Sequence, residues 1–172
     1  MSRGLSGAAM DFIIGILQGI NDLSFSEGMR GSFWMFPAFE TLHVIAIVIV
    51  LGSITRLDMR LMGLIWRERP VTEVAAEMLP WTWTSFVIAA IFGLMLWMSK
   101  PLTYFGIAFF DLKMMLILLA GINMLFFQFV TFRDVAVWDR HPIPPPAARF
   151  QAALSLGFWL MVVVCGRFIG FV

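Results

Sequence analysis

Glu40 and His43 stand three residues apart in FPAFETLHVIAIVIVLGSITRLDMRLMGLIW, residues 36–66. On a helix that spacing puts both side chains on one face. An imidazole there can ligate a haem iron or another metal. A carboxylate beside it can carry a proton or orient the ligand from behind. Asp58 follows Glu40 by five full turns, so it shares that face about 27 Å further along. Arg56 and Arg60 mark another face, and Val44 to Thr55 between the two groups holds no ionisable residue. Ionisable groups inside an apolar stretch are costly and usually face protein, which makes them functional candidates.

The elements that must carry these groups are membrane helices. The 172-residue chain is 60% hydrophobic and 13% charged, with a mean hydropathy of +0.89. A soluble domain is typically about 25% charged. The patterning predicts an all-α fold of four spans: Trp34 to Trp66, Pro80 to Met98, Phe109 to Phe132 and Ala147 to Phe171. Short connections make them an up-down-up-down bundle, residues 34–172. Ahead of it, residues 1–33 read as an amphipathic helix over 8–20, lying in the interface, and a polar surface connection over 21–33. The helix is expected to stay in the mature chain, because glycines break its apolar core and no clean cleavage site follows. The segment 67–78 is the most charged in the chain, with Pro70 expected to stop the first helix and Thr72 to cap a short amphipathic turn. The run His141-Pro-Ile-Pro-Pro-Pro is expected to be extended.

Arg67, Arg69, Arg133, Arg140 and Arg149 flank the first and third connections, whereas Arg3, Arg30 and Lys100 lie on the opposite side. The positive-inside rule then puts both termini outside the cytoplasm and the two Arg-bearing loops inside it. Net charge is +1 and no Lys/Arg-rich run occurs, which argues against nucleic acid. The single cysteine, Cys165, excludes an intrachain disulfide.

This topology brings Glu40, His43, Asp111, Lys113 and Arg167 to one outer level, with Tyr104 at its rim. Charges of mixed sign at one depth can pair, and Glu40 and His43 are expected to point toward Lys113 and Arg167. Three readings stay open for them: a cofactor site with His43 on a haem iron, a proton or solute path, and simple polar packing. A di-iron bundle is excluded, because Glu-x-x-His occurs once. A bis-histidine haem within one chain is poorly supported, since His141 lies in the far loop. Arg56, Asp58, Arg60, Asn123 and Gln128 are expected as a structural polar layer, the arginines anchoring at headgroups and Asp58 pairing internally.

The order Ser32-x-Trp34-x-x-Pro37-x-x-Glu40-x-x-His43, then Gly52, Asp58-x-Arg60-Leu61-x-Gly63, then Pro80-Trp81-Thr82-Trp83, resembles a family of small, uncharacterised bacterial four-span membrane proteins. Lys113, Ala120-Gly121-x-Asn123 and the closing Gly166-Arg167 fit it too. The resemblance covers nearly all of the chain from about residue 30. It implies the fold and an inner-membrane location. It also implies a histidine in many relatives where this chain has Gln128, so that a two-histidine site would be lost here. A looser similarity to copper-resistance and cytochrome b-type four-helix membrane proteins supports a haem or quinone by analogy. The resulting expectation is a non-catalytic redox-type subunit binding haem b or quinone around His43, in a bilayer and as a homo-oligomer or part of a larger complex. The alternatives are a proton or small-solute transporter and an assembly partner.

Overall fold

The structure, a computed structural model, describes residues 2–171, with side chains from residue 7 onward. Helix α1 (Ser2–Asn21) and α2 (Ser24–Gly31) precede α3 (Met35–Leu61) and α4 (Val71–Ser99). The short α5 (Pro101–Tyr104) leads into α6 (Ala108–Phe126). A π-helical turn (Phe127–Thr131) and a 3-10 turn (Phe132–Asp134) carry α6 on into α7 (Val135–Trp138), and α8 (Pro146–Ile169) closes the chain. Four helical stretches are long and apolar enough to cross a membrane: Met35–Leu61, Val71–Ser99, Ala108–Trp138 and Pro146–Ile169. The near end of the bundle carries the starts of α3 and α6; the far end carries the starts of α4 and α8.

Several boundaries differ from those expected. Helix α3 stops at Leu61 instead of Trp66, because the chain enters a left-handed turn at Gly63 (φ 71°) and Trp66 (φ 47°). A Cβ on Gly63 would also lie 3.2 Å from the Pro142 carbonyl, so glycine is needed twice over. The second span starts at Val71, not Pro80, and the charged segment is mostly helix. Its start is fixed from far along the chain. Asp139 accepts hydrogen bonds from the Thr72 N–H (2.8 Å) and hydroxyl (2.9 Å), and its carbonyl accepts the Val71 N–H (3.0 Å). Part of the expected polar connection over 21–33 is α2.

Helices α3 and α4 pack along their lengths, as do α6 and α8, and α3 joins the two pairs through α8. The flank between α4 and α6 lacks such close packing. At the far end Leu57, Leu61, Val71, Val74, Trp138 and Ala148 form the larger core cluster. Toward the near end Leu116, Val162 and Cys165 form a smaller one.

An arginine fastens each end. At the far end Arg60 is fully buried and donates to the carbonyls of Arg69 (2.8 Å), His141 (3.1 Å) and Asp139 (3.4 Å). The expectation that it reaches headgroups is thereby corrected: carbonyls turned inward by two loops solvate the guanidinium better than the interface can. Arg56 is exposed. At the near end Arg30 donates to Asn21 and to the Ser99 carbonyl (2.7 Å) at the C-terminus of α4. The Ser26 hydroxyl lies between the Ile20 and Met98 carbonyls. These contacts hold α1 across the near end, with Leu17 buried and Phe12 and Ile16 exposed.

Candidate functional site

The far half of the bundle encloses a cavity of about 180 Å³. Its walls come from all four long helices, and most of them are apolar. Trp83, Phe86, Phe127, Phe132 and Trp159 supply aromatic faces. Polar groups are few: Asp58 from α3, Thr82 from α4, Asn123 and Gln128 from α6 and the π-helical turn, Gln151 and Ser155 from α8. Trp83 and Gln128 are exposed, so the lining reaches the surface on the open α4–α6 flank.

Asp58 is the charged group of this lining. It is 5% exposed, and its Oδ2 has no hydrogen-bond partner. Ser155 is the neighbouring hydroxyl. Among the described residues Asp58 has no cationic partner: Arg60, two residues on, faces the loop carbonyls. The amides are partly tied up. Asn123 donates to the Gln151 carbonyl (3.0 Å), and the Gln151 side-chain oxygen accepts from Thr131 (2.7 Å). Gln128 makes no side-chain hydrogen bond to another described residue. Its place in a π-helical turn fits a pattern in which such turns sit at functional sites.

His43 lies in the near half, away from the cavity. Its Nδ1 donates to the Ala89 carbonyl at 2.7 Å, which leaves Nε2 as the free nitrogen. The ring packs against Gly93, where an added Cβ would lie 2.8 Å from Cε1. Thus His43 turns into protein, toward α4 rather than toward Lys113 and Arg167. Glu40 is exposed and has no hydrogen bond or ion pair among the described residues. Its carboxylate lies close enough to Tyr104 to act on the phenol. Burial first, and then the Glu40 charge, push the Tyr104 hydroxyl above its usual range. Lys113 packs against Gly166, where an added Cβ would lie 3.5 Å from Nζ. Arg167 is exposed and lies over the Phe171 ring at 4.6 Å. Asp111 is exposed as well. The expected charges therefore form no bonded cluster among the described residues. Among the described residues the ion pairs are those of Arg69 with Glu73 and Glu77, exposed at the far end, where the two carboxylates hold the guanidinium's pKa above its usual value.

The sequence pointed at Asp58, Asn123 and Gln128 through their polarity in apolar runs, and the fold brings these three together. Thr82, Gln151, Ser155 and the tryptophans carried no such signal. Among the described residues no group of three His, Cys, Asp or Glu side chains is placed to hold a metal ion.

No curated protein and no solved structure matches the chain. Residues 28–172 match the model of a family described as "Family of unknown function (DUF6644)". The match takes in α3 to α8 entire, with the cavity and the His43 face, and the chain belongs to that family.

Proposed function

We propose that this chain is a small-solute-binding membrane protein of the transporter kind, taking a small amphiphilic molecule into the far-half cavity through the α4–α6 flank. One observation carries the reading: an intramembrane cavity, walled mainly by aromatic and aliphatic side chains, holds a buried carboxylate with an unpartnered oxygen. Sites for small molecules have this make-up, a mostly apolar lining with a few placed polar groups. Entry from the side suits a ligand that already resides in the bilayer. Native mass spectrometry of the detergent-solubilised protein with single-ring aromatics tests it. Saturable binding that is lost in Gly121→Phe, which fills the cavity from α6, is the expected result. Absence of saturable binding, or binding that the filled cavity leaves intact, overturns the reading.

A second reading is favoured by His43. An imidazole whose Nδ1–H is fixed by a backbone carbonyl offers Nε2 as a ligand, as metal-binding histidines usually do. A redox-type subunit with haem b, or a quinone hydrogen-bonded at this nitrogen, would use it. With one such histidine per chain, a haem would take its other axial ligand from a second copy or a partner subunit. A Soret band in purified protein, removed by His43→Ala, supports it. A featureless spectrum together with no co-purifying quinone removes it.

The location proposed with both readings is a bacterial inner membrane, with the near end and both termini periplasmic, since the far-end loops carry Arg67, Arg69, Arg133 and Arg140. A reporter fused after residue 172 should be active in the periplasm; cytoplasmic activity reverses the orientation.

A further inference from the structure

We infer that the occupant of the far-half cavity is a small organic cation, which binds at Asp58 in exchange for a proton. The inference rests on the cavity reading above and names its ligand class. The first observation is electrostatic. Asp58 is 5% exposed, its Oδ2 is bare, and among the described residues no basic group lies within ion-pair distance of it. A carboxylate walled by hydrocarbon is stable either with a proton on it or with a cation against it.

The protein supplies no such cation. On α3, Arg56 is exposed and Arg60 is held by loop carbonyls. Residues contributed to the wall by α4, α6 and α8 include no titratable group. Glu73 and Glu77 on α4 are bound to Arg69 outside it, and Lys113 on α6 packs at Gly166 near the opposite end. The second observation is the wall itself. Trp83, Phe86, Phe127 and Trp159 line the carboxylate's cavity, and aromatic rings are the side chains that attract an organic ammonium through their quadrupole. A neutral solute without a donor would use the rings but leave Oδ2 unsatisfied, and one with a donor would leave the buried charge uncompensated. An anion would be repelled. A hydrated metal ion would find one carboxylate and an apolar wall.

Balance requires that the cation's arrival releases one proton from Asp58 to water whenever the acid was protonated, so binding weakens as pH falls. Calorimetric titration of the purified protein with benzyltrimethylammonium, whose charge does not vary with pH, tests this against neopentylbenzene, its neutral isostere. The cation should bind at pH 8 at least about tenfold more tightly than the isostere, and lose at least about tenfold of that affinity at pH 5. Asp58→Asn should abolish the cation's advantage and its pH dependence while keeping the neutral ring. If Asp58→Asn does not fold, Trp159→Leu should weaken the cation more than the isostere, and the wild-type pH profile decides alone. Equal binding of both compounds, or cation binding that ignores pH, overturns the inference and leaves the cavity reading standing. No binding of either compound overturns both.

Discussion

Asp58 and Arg60, two residues apart on α3 and both buried, turn away from each other and do not pair. Two helical positions differ by about 200° around the axis, so the carboxylate enters the cavity while the guanidinium enters the loops. Each retains one unpartnered atom, Asp58 Oδ2 and Arg60 Nη1. The helix thereby separates two tasks: Arg60 fastens the far end, and Asp58 is left for a ligand.

Loss of the Arg60 fastening should be costly. Arg60→Met leaves the carbonyls of Arg69, Asp139 and His141 without their donor, and stability should fall by about 3 kcal/mol. Arg60→Lys should recover only part of that, because an ammonium cannot fork toward separate carbonyls. Unfolding midpoints in mixed micelles measure both. A loss under about 0.5 kcal/mol for Arg60→Met would show the loops hold without it.

Asp139 starts α4 from 67 residues away. Asp139→Ala should cost about 1 kcal/mol, the usual loss for a helix N-terminal cap, and Asp139→Asn about half as much. Faster amide exchange over residues 71–74 should accompany it. Exchange unchanged in that turn would show that the helix start does not need the carboxylate.

Gly93 and His43 should behave as a coupled pair. Gly93→Ala places a methyl 2.8 Å from His43 Cε1, which must shift and strain its bond to Ala89. A destabilisation of about 1–3 kcal/mol is expected. His43→Ala in the same chain should relieve much of it, giving a coupling energy above about 0.5 kcal/mol. Strictly additive effects would contradict the close contact.

Tyr104 is the chain's single tyrosine, so its ionisation can be followed directly in the ultraviolet. The phenol should titrate above its ordinary value of about 10, and Glu40→Gln should bring it part of the way back. The sign follows from linkage. A phenol raised in the folded state contributes stability that is fully present below the unfolded value and is lost as pH rises through the folded one. Stability should therefore decline above about pH 10, less steeply in Glu40→Gln. An unshifted titration would separate Glu40 from Tyr104. Since Glu40 is exposed, Glu40→Gln and Glu40→Leu should both stay within about 0.5 kcal/mol of wild type near pH 7.

Hydropathy alone located the four spans, because about 20 apolar residues in a row have few other uses. It missed where α3 stops and α4 starts. Those points depend on the left-handed turn at Gly63 and Trp66 and on a cap donated by a loop far along the chain, neither of which local periodicity can register. Polar interruptions in apolar runs identified Asp58, Asn123 and Gln128. Ser155 and Trp159 went unseen, and Thr82 entered only within the Pro80–Trp83 motif, since hydroxyls that can bond their own helix and aromatic residues are ordinary in membrane segments. Depth counting placed Glu40, His43, Lys113 and Arg167 at one level, but which neighbour each side chain meets depends on rotation about the helix axes. His43 found α4 because Gly93 leaves room for its ring.

Followed by the 3-10 turn at Phe132–Asp134, the π-helical turn at Phe127–Thr131 helps set the phase of the chain after it. Such a turn takes one extra residue, which rotates the following chain by about 100° relative to an unbroken α-helix. Trp138 and Asp139 thus arrive at α4 with the bearing that lets one enter the core and the other meet Thr72. Deleting a single residue here would give a more regular helix and a worse protein: the repaired screw would aim Asp139 away from the helix it starts. Length in this segment is therefore counted in whole residues of rotation, and insertions or deletions within it should be tolerated only where a compensating change follows before Trp138.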